Sequence, residues 1–331
     1  MPDPRLDVLC IGNAIVDVIA NAGDDFLAAE GLVKGSMRLI DAYEAERLYA
    51  HMGPAHQVSG GSAGNTAAGV AALGGRAGFI GQVALDQLGE FYRHNLTAAG
   101  VEFITEAADV GAPTARSMIL VTPDGHRTMN TFLGAAQHLP REALVEDQIR
   151  DCAILYLEGY LWDPETPRRA MVRAIEVARD AGRKVAFTLS DIFCVDRHRE
   201  GFSQLIETGK IDILFANQGE IEALAGVAEI EGAVSAIAPK VETLVVTRSE
   251  DGALATRRGE RADVPAQPID QLVDTTGAGD LFAAGFLFGT ARGKSLEDSL
   301  RLGAIAAAEV IQHYGARPEA DLRALAGALA A

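Results

Sequence analysis

The stretch VDTTGAGDLFAAGFLFG, Val273 to Gly289, decides how this chain is read. It runs from a short apolar strand end through a tight glycine turn into an apolar helix. Gly277, Ala278 and Gly279 carry almost no side chain, so their backbone N–H groups can approach an anion closely. The helix that follows adds its free N–H groups and the positive end of its dipole. Asp280 falls in the first helical turn, within reach of anything held in that cradle. Small residues to receive phosphate, beside one carboxylate to take a proton, are what phosphoryl transfer to a hydroxyl requires. An ordinary strand-to-helix turn with an Asp placed for the helix dipole fits the same residues.

A second glycine-rich element, GGSAGNTAAGVAALG, occupies residues 60–74. Gly60, Gly61 and Gly64 permit close backbone approach, and Ser62, Asn65 and Thr66 supply hydroxyl and amide groups. Small residues from Ala67 to Leu73 also suit helix–helix packing. Three glycines and an Asn ahead of a helix point to a polar ligand near the backbone. No G-x-x-x-x-G-K-[ST] phosphate loop occurs in the chain. A dinucleotide fingerprint built on Gly277 and Gly279 fails, because Phe282 stands at the third glycine position.

GGSAGNTAAGVAALGGRAGFIGQVALDQLGE (60–90) resembles the N-terminal signature of the phosphofructokinase-B family of sugar and nucleoside kinases. DTTGAGD (274–280) resembles its C-terminal signature. The order and separation of the two also fit, and the resemblance spans nearly the whole chain. Within the family, GNAIVD (12–17) and SGGSAGNT (59–66) look most like the adenosine kinase branch. The resemblance implies a ribokinase-like α/β fold: a mainly parallel sheet covered on both faces, with a small β-sheet lid.

Composition agrees. Of 331 residues, 48% are apolar, enough for a sizeable core. The net charge of −17 argues against nucleic acid or anionic membrane as a partner. An anionic nucleotide is compatible, because local N–H groups and Mg²⁺ can override the global sign. Cys10, Cys152 and Cys194 lie in or beside apolar runs, as buried free thiols of a cytoplasmic protein would. No apolar run reaches membrane-spanning length. The expected partner is a small molecule, for a monomer or a homodimer.

Short apolar runs predict buried strands at 8–12, 77–81, 153–157, 185–189, 213–216 and 244–247, with helices between them. That alternation implies a parallel sheet covered on both faces. Segments 16–21 and 36–40, and 115–121 and 127–132 around the turn TPDGH, read as extra β segments. The resemblance makes them a lid, about 16–40 and 113–133, inserted in one kinase domain over 1–331. A lid would exclude water that would otherwise hydrolyse ATP.

Asn13 and Asp17 follow the first strand, at the carboxyl end where such sheets bind ligands. Asp17 can accept from both hydroxyls of a vicinal diol, and Asn65 can donate and accept nearby. The resemblance assigns the sugar to Asp17, Gly61, Ser62 and Asn65. It places Leu39, Met129 and Thr131 toward a base, and Tyr160 or Leu161 at an aromatic wall. Leu39 and Met129 also suit a small lid core. Glu158 looks like a residue of the sugar-kinase branch that holds ribose hydroxyls.

On the nucleotide side, Asn217 and Glu220 form the family's N-x-x-E, which organises Mg²⁺ and phosphate, often through water. The same pair reads as a helix capping box. TRSEDG (247–252) resembles a T-x-G-x-x-G nucleotide loop, with Thr247 and Gly252 retained and Ser249 in place of the first glycine. Arg127 suits the transferred phosphate, or a solvated hairpin position. Asp274, Thr276 and Gly315 resemble a monovalent-cation loop for K⁺. The resemblance implies an ATP- and Mg²⁺-dependent phosphotransferase acting on the 5′-hydroxyl of a nucleoside, adenosine first. A ribokinase-like sugar kinase and a non-catalytic nucleoside-binding protein are the alternatives, though the latter has no need of Asp280.

Overall fold

Continuous apolar runs become the fully buried strands of one large sheet in the computed structural model, which describes residues 4–330. The strands are β1 (Leu6–Ile11), β2 (Ile15–Asn21), β3 (Met37–Leu39), β4 (Ala55–Gly60), β5 (Ala77–Ile80), β6 (Val101–Glu102) and β7 (Ala115–Val121). They continue as β8 (Arg127–Phe132), β9 (Cys152–Glu158), β10 (Lys184–Thr188), β11 (Ile213–Asn217), β12 (Thr243–Thr247), β13 (Ala253–Arg257) and β14 (Glu260–Val264). The larger sheet has nine strands in the order β14-β13-β12-β11-β10-β9-β1-β5-β6. It is parallel from β12 to β6, and β13 and β14 add an antiparallel edge. Apolar clusters cover both faces. The chain leaves β1 toward β5 on one side and returns as β9 on the other. The crevice beyond the carboxyl ends of β1 and β9 is therefore a topological switch point, where such sheets take ligands.

The five remaining strands make a second sheet in the order β3-β8-β7-β2-β4. TPDGH closes the β7–β8 hairpin: the Thr122 N–H donates to the His126 carbonyl at 2.9 Å, and Gly125 adopts a φ of +84°. β2 alternates I-V-D-V-I-A-N, so Val16, Val18 and Ala20 are buried on one face. That side packs with Met118, Leu120 and Phe132 near the Ala42–His51 helix through Ala45 and Leu48. The register aligns Asp17 with Ser117, Ser117 with Thr131, and Thr131 with Leu39. Next to this row run Ile19, Ile119, Met129 and Met37, and then Arg127 beside Val121. Directly paired residues share a face, so Asp17, Leu39, Met129, Thr131 and Arg127 all stand on the face opposite the lid core. The three cysteines are free and buried.

The helix that begins the decisive motif, Ala278–Ala291, packs closely against Leu296–Val310. Gly285 permits that approach: a Cβ there would lie 2.4 Å from the Leu302 carbonyl. Gly285→Ala should force the two helices apart and destabilise the fold by about 1–3 kcal/mol, the usual cost of overpacking. Thermal unfolding checks this, and an unchanged Tm would contradict the packing described.

Candidate active site

The two glycine-rich turns meet on one carboxylate. Asp280 Oδ1 accepts from Ser62 Oγ at 2.6 Å, and Oδ2 accepts from Asn65 Nδ2 at 2.9 Å. The Asp280 carbonyl also accepts from Thr66 Oγ1 at 3.1 Å. Ser62 and Asn65, read from the sequence as sugar contacts, thus hold the candidate base in place. The buried Asn65 Oδ1 has no partner among the described residues, and a buried acceptor of this kind calls for a donor. Burial pushes the Asp280 carboxyl up, against the hydrogen bonds from Ser62 and Asn65 that hold it down.

Gly277 caps the Ala278–Ala291 helix at a φ of +80° with no side-chain cap, which leaves first-turn N–H groups for a ligand. A Cβ on Gly277 would sit 2.6 Å from that of Ala316, whereas one on Gly279 would meet only open space. The cradle is therefore packed beneath Gly277 and open above Gly279, as an anion site should be.

The substrate side is built around close backbone approach. Gly61 has a φ of +85°, and a Cβ there would lie 2.0 Å from the Asn13 carbonyl. A Cβ on Gly60 would lie 2.3 Å from the Asp17 carboxylate. Asp17 accepts no hydrogen bond from the described residues, and burial raises its carboxyl to about 7, against nearby Arg127 and Arg317. Glu158 lies beneath this turn. It is fully buried, accepts from the Asn13 backbone at 2.8 Å and side chain at 2.7 Å, and accepts from the Ala63 N–H at 2.8 Å. Burial raises it to about 7. Glu158 clamps the end of β1 to the Ser62–Ala72 helix and does not face the crevice. Leu161 is fully buried in the main core, so it forms no wall of the site, and the Tyr160 hydroxyl donates to the Ser190 carbonyl.

Leu39 is 60% exposed and Met129 is half-buried, on the lid face that carries Asp17. Thr131 is buried and shares a hydrogen bond with Ser117. Met37, Ile19 and Ile119 extend this apolar face. The sequence reading missed them, although strand alternation could have placed them with Asp17. Arg127 crosses from the lid to the phosphate turn: Nη1 lies 2.7 Å from Asp274 Oδ2 and donates to Thr276 Oγ1. Arg317 was also missed. Its guanidinium donates to the Ser59 carbonyl at 2.9 and 2.7 Å and to the Gly64 carbonyl at 2.7 Å, tying the C-terminal loop to the first glycine turn.

On the nucleotide side both readings of Asn217 and Glu220 meet. Asn217 Oδ1 accepts from the Glu220 N–H at 2.9 Å, and the Glu220 carboxylate accepts from the Asn217 N–H at 2.9 Å and side chain at 2.6 Å. This is a capping box on Gln218–Ala225 at the carboxyl end of β11. Burial raises Glu220 to about 7. Ser249 takes a φ of +51°, the left-handed backbone that the missing glycine would adopt. Gly252 cannot be replaced freely, since a Cβ would lie 2.1 Å from the Val264 carbonyl. Thr247 ends β12 beside them.

Among the described residues no three His, Cys, Asp or Glu side chains gather as a metal cage. Mg²⁺ would keep its waters and arrive on substrate phosphates with one or two carboxylates nearby, and Glu220 is a buried carboxylate on this side. K⁺ fits less well. The Asp274 carboxylate accepts from the Thr276 and Gly315 N–H groups, at 3.0 Å each, and is neutralised by Arg127.

Residues 6–322 match the pfkB family carbohydrate kinases. Adenosine kinase of Saccharomyces cerevisiae is 27% identical, with 93% of this chain and 95% of that one covered. A solved structure of adenosine kinase from Sinorhizobium meliloti is 50% identical, covers 97% of this chain and 98% of its own, and superposes with a TM-score of 0.90. That of a probable sugar kinase from Rhizobium etli CFN 42 is 49% identical, covers 98% of both chains, and has a TM-score of 0.91. The paired glycine turns, the carboxylate between them and the match over almost the whole chain lead to one conclusion: the protein belongs to the pfkB family, kinases that phosphorylate a hydroxyl acceptor with ATP.

Proposed function

We propose that this kinase transfers the γ-phosphoryl of ATP to the 5′-hydroxyl of adenosine. The observation that carries the reading is the Asp280 carboxylate, oriented by Ser62 and Asn65 beside an open helix N-terminus. Asp280 takes the proton of the attacking hydroxyl, and Ser62 and Asn65 keep its carboxylate aimed. The N–H groups at Gly277, Ala278 and Gly279 stabilise charge on the transferred group. Asp17 accepts from the ribose diol and Asn65 Oδ1 from a further donor, while Asn13, Gly61 and Glu158 shape the floor. The exposed apolar lid face at Leu39 and Met129 covers the base. Asn217, Thr247, Ser249 and Gly252 hold ATP, and Glu220 would hold Mg²⁺ through water. When bound, Mg²⁺ would offset the charge of the ATP phosphates. Residues 1–331 work as one domain with its lid, in the cytoplasm, as a monomer or homodimer. Among the described residues no helix is long and apolar enough to cross a membrane. The second reading is a ribokinase-like sugar kinase, favoured by the likeness to the Rhizobium etli protein.

Asp280→Asn should retain ATP and nucleoside binding while turnover falls about 10²–10⁴-fold. A purified variant with near wild-type turnover would remove Asp280 from the mechanism.

Asp17 must be ionised to accept from the diol, and its raised pKa of about 7 moves the acid limb upward. Catalytic efficiency should therefore fall as pH drops through about 7 and level off above it. Asp17→Ala should lower efficiency on adenosine at least about tenfold, since hydrogen bonds to charged groups contribute roughly 1.5–3 kcal/mol. The 2′-deoxy substrate should lose less. Equal losses, or a profile flat well below neutrality, would argue that Asp17 does not touch the 2′-hydroxyl.

Adenosine and ribose separate the two acceptors. Covering about 100 Å² of lid surface with a purine is worth a few kcal/mol at roughly 25 cal/mol per Å². Adenosine should outcompete ribose in a mixed assay, and Met129→Asp should harm adenosine far more than ribose. Preference for the free sugar would reverse the assignment.

A further inference from the structure

The carboxylate where the sequence places a monovalent cation already holds a positive charge. Arg127 Nη1 lies 2.7 Å from Asp274 Oδ2, with 9% and 3% of the two side chains exposed. The same nitrogen donates to Thr276 Oγ1. Asp274 Oδ1 accepts from the Thr276 N–H and Oδ2 from the Gly315 N–H, each at 3.0 Å. Of the three side-chain oxygens here, Asp274 Oδ2 and Thr276 Oγ1 are thus bound to a guanidinium, and Asp274 Oδ1 is taken by the Thr276 N–H. The two backbone groups that reach this carboxylate, at Thr276 and Gly315, do so with their N–H ends, which repel a cation. A second positive charge beside Arg127 in so buried a place is unfavourable. Two more donors of Arg127, Nε and Nη2, are buried without a partner among the described residues. A guanidinium offers its donors as a planar fork that matches phosphate oxygens.

We propose that the lid arginine Arg127 replaces the monovalent cation at Asp274. Nη1 neutralises Asp274 and braces Thr276, one residue before the Gly277 cradle. Nε and Nη2 are left for phosphate oxygens. Arg127 opens β8 of the lid sheet, so the charge is delivered by the lid itself and not by the salt in solution. Asp274 is a positioning residue in this arrangement.

The test uses the full-length enzyme in KCl, NaCl and tetramethylammonium chloride at equal ionic strength. Wild-type rates should agree within about twofold across the three salts, and the ligand-free Tm should not distinguish KCl from tetramethylammonium. Arg127→Ala leaves Asp274 without its counter-charge, and turnover should fall at least about tenfold. KCl, but not tetramethylammonium, should then raise the Tm of this variant or restore part of its rate. Only the rate arm rests on the phosphoryl-transfer reading, and it stands for a sugar acceptor as well. The melting arm needs no substrate. A wild-type rate more than about twofold higher in KCl than in tetramethylammonium would overturn the proposal. So would an Arg127→Ala protein indifferent to KCl in both readouts. If Arg127→Ala fails to fold, the wild-type salt series decides alone.

Discussion

The hydrogen bonds from Ser62 and Asn65 to the two oxygens of Asp280 are the constraint around which the site is arranged. They join residues more than two hundred positions apart and bring two helix N-termini to one point. Everything else keeps those ends in place. Glu158 fastens the Ser62–Ala72 helix to the end of β1, and Arg317 fastens the same turn to the C-terminal loop. The close contact at Gly285 sets the other helix against its neighbour. Both donors sit on the Ser62–Ala72 helix, so a shift of either helix would disturb both bonds and leave the carboxylate with an undefined aim, and proton transfer depends steeply on that aim.

The chain carries a large negative charge, yet the chemistry needs room for a nucleotide. The structure resolves this locally. Asp17, Glu158 and Glu220 are each raised to about 7 by burial, which lowers the charge held near the crevice around neutral pH. Helix N-termini and two arginines, Arg127 from the lid and Arg317 from the C-terminal loop, supply the positive side. Arg127 matters most for coupling, because it connects the smaller sheet to the phosphate turn.

Much of this was legible in the sequence. The apolar runs located every parallel strand of the larger sheet but the two-residue β6, and the hairpin ends at 115–121 and 127–132 matched β7 and β8 residue for residue. β4 escaped notice because AHQVSG is polar and leads straight into glycines. It is an edge strand whose partner, β2, pairs with it only in the folded chain. β13 and β14 were missed because neither carries a long apolar run; β14 is the edge strand and β13 pairs between it and β12. In the candidate site, residue types pointed to Asp280 and the Gly277–Gly279 turn, since small residues and a carboxylate at a helix start have local consequences. Orientation was not legible. That Ser62 points to Asp280, that Glu158 is consumed beneath the floor and that Leu161 belongs to the core all follow from tertiary packing. The Arg127–Asp274 pair likewise joins residues 147 positions apart, which no local pattern announces.

Product regiochemistry tests the central claim most directly. If Asp280 is the base for a 5′-hydroxyl at the open helix N-terminus, incubation with adenosine, ATP and Mg²⁺ should yield one phosphate ester. Its ³¹P signal should couple to the two 5′ protons, with ADP formed in equal amount. Phosphate on the 2′- or 3′-oxygen, or ATP hydrolysis to inorganic phosphate with adenosine unchanged, would contradict the account.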